Sequence, residues 1–277
     1  MNTATPNIQK LNDWFHHLWQ AYTALNPRIL ALKEAFIKAG ESPKNDHIAF
    51  RTLAHPKVNL STLCGLLKPF GYEVKDHYEF NAKKLDAVHL EHSDDTSQPK
   101  IFISELRYLE LPEECSQALL ACLDRIEDSQ IRGPEVFYSG RHWPIEEKTH
   151  QQLATHSEYA AWWYLFGYTA NHFTIDVNQL KHFKQLSELN QWIEQQGFEL
   201  NHDGGTIKGS AEVFLEQSST LADPTEIQFD HPPGAKKSLP SVFYEFAQRH
   251  PLPDGQRFEG FVANNADKIF SSTNIRS

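Results

Sequence analysis

The feature of this sequence that most constrains its fold is an internal repeat. The first half contains HIAFRT, a helix, GYEV, AVHLEH and KIFISEL, and the second half contains HFTIDV, a helix, GFEL, AEVFLEQ and SVFYEFA in the same order. Short runs rich in β-branched and aromatic residues indicate strands, so each half is predicted to be a β-α-β-β-β unit. Repeated units of this kind build two similar curved sheets that face one another around a cavity. We therefore predict an α+β fold of two β-α-β-β-β modules around a cavity.

Helical patterns fill the segments outside the repeat. Apolar residues recur at helical intervals from Ile8 to about Lys38, with a break at Asn26-Pro27, and again between Pro112 and Phe166. We predict a single domain, 1–277, divided into N-terminal helices (1–40), a first module (45–107), a helical insert (108–168), a second module (169–250) and a C-terminal segment near the site (251–277). The predicted strands are residues 47–52, 73–80, 87–92, 100–106, 171–177, 198–201, 211–217 and 240–247. The predicted helices within the modules and the insert are residues 60–70, 115–126, 146–165 and 186–196.

Composition excludes several classes of protein. A hydrophobic fraction of 40% and an aromatic fraction of 12% supply enough apolar surface for a folded core. The net charge of -10 argues against nucleic acid or an anionic membrane as a partner. There is no apolar stretch of about 18 residues and no basic, then apolar, secretory start, so we expect a cytoplasmic protein. Three cysteines without a CxxC pair indicate reduced thiols rather than disulfides or a cysteine zinc site.

The 15 histidines of the chain include one at the start of the first strand in each half, His47 and His172. Each half also has an acid in its last strand, Glu105 and Glu245. If the halves pair about a pseudo-twofold axis, these four side chains converge in the cavity. Two imidazoles and one carboxylate form the facial triad of non-haem iron(II), whereas a fourth protein ligand suits a nickel or zinc Lewis-acid site. The register of Glu105 against Glu245 decides between them, and the sequence leaves it open by one residue.

Arg51 is a candidate substrate-binding residue. Strand alternation places His47, Ala49 and Arg51 on one face, with Arg51 about 13 Å along the strand from His47. It has no evident acidic neighbour in the sequence, and its planar guanidinium matches a carboxylate bidentately. His89 and Glu91 also share a face of their strand, but the second half of the sequence has no equivalent pair. The sequence contains no GxSxG, HExxH or Walker pattern, which argues against the commonest hydrolase, zincin and nucleotide-binding classes.

At NDHIAFRT, ANHFTIDV and VFYEFAQR the sequence resembles the 2-oxoadipate dioxygenase/decarboxylase family, whose fold is similar to the vicinal-oxygen-chelate superfamily. The resemblance extends over nearly the whole chain, including FEGFVANNADKIFSST near the C-terminus. It implies that His47, His172 and Glu245 hold Fe(II), with the two histidines beside the bound substrate, and that Arg51 holds the substrate.

The resemblance also places a C-terminal segment near the substrate, which corresponds to Asn264 and Asn265. The implied reaction converts 2-oxoadipate and O2 to 2-hydroxyglutarate and CO2, a step of lysine catabolism, with the 2-oxo acid chelating the iron through its carboxylate and keto oxygen. Two other classes stay open. A glyoxalase-like lyase or isomerase would use Glu105 as a fourth ligand and would not consume oxygen, and a metal-free binding protein would keep the repeat without a metal. The oligomeric state is left open.

Overall fold

The computed structural model describes residues 5–273, and within them eight strands form one mixed sheet. These strands are β1 (Asn45–Leu53), β2 (Tyr72–Phe80), β3 (Leu85–His92), β4 (Lys100–Leu106), β5 (Ala170–Asp176), β6 (Lys208–Ser210), β7 (Leu215–Ser219) and β10 (Phe243–Arg249). Their order across the sheet is β2-β3-β4-β1-β5-β10-β7-β6. Two further strands, β8 (Pro224–Gln228) and β9 (Lys236–Pro240), form a separate hairpin.

The two modules are joined side by side through their first strands. Within each module the first strand pairs in parallel with the last, β1 with β4 and β5 with β10. Between modules β1 pairs antiparallel with β5, so one sheet continues from the first half into the second. The expectation of two separate facing sheets is therefore wrong, because each first strand satisfies its free edge by pairing with the other. The predicted α+β fold with two β-α-β-β-β modules around a cavity is confirmed.

The helices of the described chain lie outside this sheet. They are α1 (Thr5–Leu25), α2 (Arg28–Lys38), α3 (Leu60–Leu67), α4 (Glu113–Asp124), α5 (Glu147–His156), α6 (Glu158–Phe166), α7 (Leu186–Gln195) and α8 (Ala263–Ile269). The buried residues Leu11, Trp14, Leu18 and Tyr22 follow the 3.6-residue period along α1. The Tyr22 ring packs on Phe173 of β5, so α1 covers the face of the sheet opposite the cavity. None of the helices within residues 5–273 has the length and apolar character needed to cross a membrane.

Four predicted elements differ from the structure. The predicted strand over 240–247 is divided, because Pro240 ends β9 and β10 begins at Phe243. The predicted helix over 146–165 is interrupted at Ser157, which is extended and whose hydroxyl accepts a hydrogen bond from the Ala160 amide, so that a new helix begins. The predicted strand over 198–201 is reduced to one bridge between Leu200 and Thr220. The predicted strand over 211–217 starts late, because residues 211–213 form a 3-10 turn and Phe214 has a positive φ of 63°.

The same turn occurs in the first module, where residues 81–83 form a 3-10 turn and Lys84 has a φ of 58° before β3 begins. The repeat therefore includes the turn between its second and third strands, although the two turn sequences, NAKK and AEVF, share no residue type at equivalent positions. Non-glycine residues with positive φ are uncommon, so the shared geometry supports the equivalence of the two modules.

The C-terminal segment covers the concave face of the sheet. It contains α8 and a 3-10 turn over Phe270–Thr273. The Phe261 ring contacts His47 and Phe102, and the Phe270 ring contacts Phe80. The ranges predicted for the N-terminal helices and for the C-terminal segment include residues 1–4 and 274–277, which lie outside the described residues.

Candidate metal centre

His47, His172 and Glu245 lie on three adjacent strands, β1, β5 and β10, and their side chains meet on the concave face. The Nε2 atom of His47 is 3.6 Å from Glu245 Oε1, and the Nε2 atom of His172 is 3.1 Å from Glu245 Oε2. One ligand atom from each residue lies within 4.8 Å of the others, and all three residues are buried. Strand register explains the convergence, because His172 faces Ala49 across β1–β5 and Glu245 faces Thr174 across β5–β10.

Neighbouring polar groups orient the three side chains. The Nδ1 atom of His47 is 2.8 Å from the Asp46 carboxylate, and the Nδ1 atom of His172 is 3.0 Å from the Asn171 side-chain oxygen. Both rings therefore turn their Nε2 atoms toward Glu245. The Gln217 amide donates a hydrogen bond of 2.6 Å to Glu245 Oε1. The other carboxylate oxygen, Oε2, is buried and has no hydrogen-bond partner among the described residues.

Burial controls the protonation of the three side chains. It raises the pKa of Glu245 to about 8, against the lowering effect of the Gln217 hydrogen bond. It lowers the pKa of His172 well below its usual range, and the nearby His47 and Arg51 lower it further. It also lowers the pKa of His47, although the Asp46 carboxylate opposes this change. The fold therefore favours neutral imidazoles and leaves the negative form of Glu245 without sufficient compensation.

This donor set fits a divalent cation. Metal ions bind neutral imidazole and ionised carboxylate, which are the groups that converge here. A bound cation would balance the negative charge of Glu245 and would give Oε2, which has no hydrogen-bond partner among the described residues, a ligand role. Two histidines and one carboxylate leave coordination positions open, which is the donor arrangement of non-haem iron(II) sites. The sequence-predicted residues are thus brought together, and their role as metal ligands remains a prediction.

Glu105, the candidate fourth ligand, is not in the cluster. It lies opposite Thr52 in the β1–β4 pair, and its carboxylate accepts a hydrogen bond of 2.7 Å from the Leu60 amide at the start of α3. The residue of β4 that faces Ala49 is Phe102, three positions earlier. Because three positions along a strand reverse the face, Glu105 points away from the cavity. The four-ligand arrangement is therefore wrong, and Phe102 stands in the first module where Glu245 stands in the second.

Arg51 lines the same cavity, as strand alternation predicts. Its side chain is only 1% exposed, and its guanidinium lies 4.9 Å from the Tyr159 ring centre and 4.9 Å from the Trp162 ring centre. The expectation that it has no acidic neighbour is wrong, because Nη1 donates a hydrogen bond of 3.0 Å to Glu158. Glu158 lies in the helical insert, outside the repeat, so no pattern in the repeat indicates this contact.

Asn264 and Asn265 do not line the cavity in the structure. Asn264 is exposed, and Asn265 is buried against β7, where its amide donates a hydrogen bond of 3.1 Å to the Leu215 carbonyl. The C-terminal residues that do line the cavity are Phe261, Ile269 and Phe270. Their apolar side chains contribute to water exclusion.

A buried ion pair that was not predicted from the sequence lies behind His47. Both oxygens of Asp46 accept hydrogen bonds from the Arg249 guanidinium, at 2.7 and 2.8 Å. Burial works to raise the pKa of Asp46, but the charge and the hydrogen bonds of Arg249 hold it well below its usual range. The signal for these orienting residues was present, because an Asx residue precedes each histidine, Asp46 before His47 and Asn171 before His172.

The cavity around these groups is small. Its volume is about 20 Å³, which is room for about one water molecule. Its lining combines the polar groups described above with apolar side chains, and the lining residues are His47, Ala49, Phe50, Arg51, Phe102, Ser104, Asn171, His172, Gln217, Glu245, Phe261, Ile269 and Phe270.

Comparisons with known proteins show the family to which the chain belongs. A family model described as 2-oxoadipate dioxygenase/decarboxylase matches residues 2–135 and 134–258. A chloroplastic 2-oxoadipate dioxygenase/decarboxylase of Arabidopsis thaliana is 34% identical over 258 residues, which are 82% of this chain and 67% of that protein.

Two solved structures share the whole fold. Hydroxyglutarate synthase from Oryza sativa, solved in complex with 2-oxoadipate, has a TM-score of 0.90 at 29% identity, covering 98% of this chain and 94% of its own. A candidate hydrolase from Shewanella frigidimarina has a TM-score of 0.85 at 42% identity, covering 91% of this chain and 97% of its own. The family match covers most of the chain, and the Arabidopsis thaliana relative is 34% identical over 82% of it, so the chain belongs to the 2-oxoadipate dioxygenase/decarboxylase family of enzymes.

Proposed function

We propose that this protein is an Fe(II)-dependent oxygenase that converts 2-oxoadipate and O2 to 2-hydroxyglutarate and CO2. His47, His172 and Glu245 would hold the iron. The reaction balances without a further reductant or co-substrate, because one oxygen atom enters the new carboxylate and the other enters the hydroxyl group. Bound Fe(II) supplies open coordination positions and the redox chemistry that activates O2.

One observation carries the proposal. His47, His172 and Glu245 converge in a buried cavity within 4.8 Å, and a carboxylate oxygen of Glu245 has no hydrogen-bond partner among the described residues. Burying a carboxylate without a positive charge beside it is costly, so a fold that brings Glu245 against two neutral imidazoles is best explained by a cation. The substrate assignment rests on the names of the relatives and on Arg51, which lines the same cavity.

The residues of this chain position the reacting groups. Asp46 orients the His47 ring, Asn171 orients the His172 ring, and Gln217 holds Glu245. Hydrogen bonds of this kind to metal-bound side chains set ring tautomer and direction, and their loss typically lowers metal affinity or activity. Arg51 would pair with the carboxylate of the substrate at the end away from the metal, which orients the chain of a dicarboxylic acid.

Apolar residues separate the site from bulk water. Phe102 from β4 and Phe261, Ile269 and Phe270 from the C-terminal segment line the cavity. A dry site strengthens the pairing of Arg51 with a carboxylate and protects reactive intermediates from side reactions.

The decisive experiment is anaerobic reconstitution of untagged protein with Fe(II), followed by measurement of oxygen uptake on a panel of 2-oxo acids. We expect uptake with 2-oxoadipate at one O2 per CO2 released, and the product 2-hydroxyglutarate. A five-carbon or six-carbon monocarboxylic 2-oxo acid should react poorly. Turnover that proceeds without oxygen, or equally fast with zinc, would contradict an oxygenase.

Variants at the cluster test the metal ligands separately from activity. His47→Ala, His172→Ala and Glu245→Ala should each abolish stoichiometric metal binding while the protein remains folded, as measured by metal analysis and circular dichroism. His89→Ala is the matched control, because His89 is also a buried histidine but pairs with Tyr78 and Glu91 outside the cluster. It should keep the metal of the wild type. Full metal retention in a cluster variant would exclude that residue as a ligand.

The same measurements separate the other classes. A lyase or isomerase, or a hydrolase such as the name of the Shewanella frigidimarina protein suggests, would turn over substrate with no oxygen uptake. A metal-free binding protein would retain no metal after purification without a histidine tag. The displacement of Glu105 from the cluster removes the structural basis for a four-ligand lyase.

A further inference from the structure

Arg51 already has a carboxylate partner from its own chain. Its Nη1 donates a hydrogen bond of 3.0 Å to Glu158, and its Nη2 donates one of 3.0 Å to the Thr273 hydroxyl. The Thr273 hydroxyl also hydrogen-bonds the Glu158 carboxylate. We call this closed set of three contacts the Arg51–Glu158–Thr273 triangle. It joins the central strand β1 to the insert and to the C-terminal segment.

The Arg51–Glu158–Thr273 triangle separates two cavities. Arg51 lines the metal cavity, whereas Glu158 and Thr273 line a second cavity of about 310 Å³ on the other side, together with Trp162. The metal cavity, at about 20 Å³, is too small for a six-carbon diacid. Substrate binding therefore requires side chains to move, and the larger cavity provides space beside Glu158.

Glu158 is placed to make that movement. Its side chain is 27% exposed, whereas that of Arg51 is 1% exposed. It is the first residue of α6, directly after the break at Ser157. A carboxylate at the N-terminal end of a helix is stabilised by the backbone dipoles, so Glu158 keeps a favourable environment after leaving Arg51.

A substrate carboxylate cannot share Arg51 with Glu158 without cost. Glu158 and Thr273 together occupy the edge of the guanidinium between Nη1 and Nη2, and Nε is buried and without a partner among the described residues. A carboxylate that pairs bidentately with the Nη1–Nη2 edge must therefore replace Glu158. Two carboxylates on one guanidinium would also place like charges a few Å apart in a dry site.

We propose that Glu158 is a specificity-determining residue that competes with the second carboxylate of the substrate for Arg51. This inference rests on the proposed function of the site. A dicarboxylic 2-oxo acid replaces Glu158, which turns into the 310 Å³ cavity, whereas a monocarboxylic 2-oxo acid leaves the Arg51–Glu158–Thr273 triangle closed. Glu158 thus lowers the affinity for a dicarboxylate and keeps Arg51 paired when no dicarboxylate is bound.

The test is calorimetric binding of 2-oxoadipate to protein loaded anaerobically with Fe(II), compared for the wild type, Glu158→Gln and Glu158→Asp. Gln removes the charge, and Asp keeps the charge but withdraws the carboxylate by one methylene. We expect each variant to lower the Kd about 2- to 5-fold, the range of a partly exposed ion pair. The Kd of 2-oxohexanoate, a monocarboxylic acid of the same length, should not change.

Glu147→Gln is the matched control. Glu147 is the first residue of α5, is 25% exposed, and pairs with Lys237 at 2.8 Å, away from Arg51. Its replacement should leave both dissociation constants at the wild-type values. Thermal unfolding gives a second measurement: without ligand, Glu158→Gln should melt below the wild type because Arg51 loses its counterion. A dicarboxylate should then raise the Tm of Glu158→Gln more than that of the wild type.

An unchanged or higher Kd for 2-oxoadipate in both Glu158 variants would overturn the proposal, and a higher Kd would make Glu158 a support for Arg51 instead. Failure of the proposed function looks different, because the metal-loaded wild type itself would not bind 2-oxoadipate. Glutarate then still tests the competition, since it has two carboxylates and no 2-oxo group. Its Kd should fall in Glu158→Gln whatever the reaction of the metal.

Discussion

The Arg51 guanidinium is enclosed by three aromatic rings, and this enclosure determines what its replacement should cost. A substrate carboxylate bound there would be desolvated. Removing Arg51, its partner in this buried charge pair, should therefore cost about 2–5 kcal/mol. We expect Arg51→Ala to lower kcat/KM for 2-oxoadipate by the factor that corresponds to this free energy. The metal stoichiometry should not change. Arg51→Lys should recover little, because an ammonium group keeps the charge but not the planar pair of donors.

Steady-state kinetics with two substrates checks this prediction. A monocarboxylic 2-oxo acid of similar length should be a poor substrate for the wild type and should lose much less on Arg51→Ala. Equal losses for both substrates would mean that Arg51 orients the metal-bound end. If Arg51→Ala had the wild-type kcat/KM for the dicarboxylate, Arg51 would not take part in substrate binding.

His47 and His172 could be predicted from the sequence because each lies near the start of the first strand of a repeated unit. Glu245 could not be distinguished from Glu105 in this way, since an error of one residue in register turns a side chain to the other face. Glu158 could not be predicted at all. It contacts a residue 107 positions away and lies in the insert, where no repeat relates it to the site.

Among the elements, the C-terminal segment depends on one buried side chain of β10. The Arg249 guanidinium hydrogen-bonds both oxygens of Asp46 and also the carbonyls of Phe258 and Gly260, at 3.2 and 2.7 Å. It therefore links the residue that orients His47 to the chain that covers the cavity. Arg249 therefore contributes both to the packing of the C-terminal segment and, through Asp46, to the orientation of His47.

We expect Arg249→Met to destabilise the protein by about 3 kcal/mol, because the buried Asp46 then keeps only the longer, 3.3 Å contact with the partly exposed Arg257. The same variant should make residues 250–262 more accessible to limited proteolysis and should weaken metal binding. Urea unfolding, proteolysis followed by mass spectrometry, and metal titration measure the three effects.

Arg107→Met is the comparison, since Arg107 forms partly exposed ion pairs with Asp86 and Glu110, and its loss should cost less than about 1 kcal/mol. If the proteolysis pattern of Arg249→Met matched that of Arg107→Met, Arg249 would not hold the C-terminal segment.

The element pattern also shows what local sequence can and cannot predict. The first strands were predictable because β-branched and aromatic residues follow one another in HIAFRT and HFTIDV. The turn before β7 was not, because Phe214 adopts a positive φ that is rare for a large side chain. The pairing of β1 with β5 was also not predictable. The two strands are more than 100 residues apart, and a local sequence pattern does not indicate such contacts.

For the whole molecule, metal binding should raise stability if His47, His172 and Glu245 hold an ion. A ligand that binds only the folded state adds about 2.7 kcal/mol when its concentration is 100 times Kd. We expect Fe(II) under anaerobic conditions, and Mn(II) as a less oxidisable substitute, to raise the Tm of the wild type. A chelator should reverse the increase.

His172→Ala should show no such increase, and His89→Ala should show the increase of the wild type. Equal stabilisation of His172→Ala and the wild type would mean that the ions act elsewhere on the protein.

Acid stability offers a prediction that does not involve the metal. His150 of α5 is buried beside the 310 Å³ cavity, and its Nδ1 has no hydrogen-bond partner among the described residues. Burial first, and then the positive charge of Lys237, lower its pKa from 6.5 to about 4, while Glu147 acts in the opposite direction. Between these two values the unfolded chain binds a proton at this residue and the folded protein does not. The free energy of unfolding should therefore fall as the pH decreases from about 6.5 to about 4, and it should not depend on His150 at higher pH.

His150→Phe removes this proton uptake, so urea unfolding should show a smaller loss of stability between pH 6.5 and pH 4 than in the wild type. Because the ring is buried, the difference should reach about 2–3 kcal/mol at the acid end. His47 and His172 also titrate with lowered pKa values, but they are present in both proteins, and their contribution cancels in the comparison. His156→Phe, an exposed histidine on the same helix, should follow the pH profile of the wild type. If the profile of His150→Phe instead ran parallel to that of the wild type, His150 would already be protonated in the folded protein over this range, and the cavity beside it would have to admit the water that stabilises the charge.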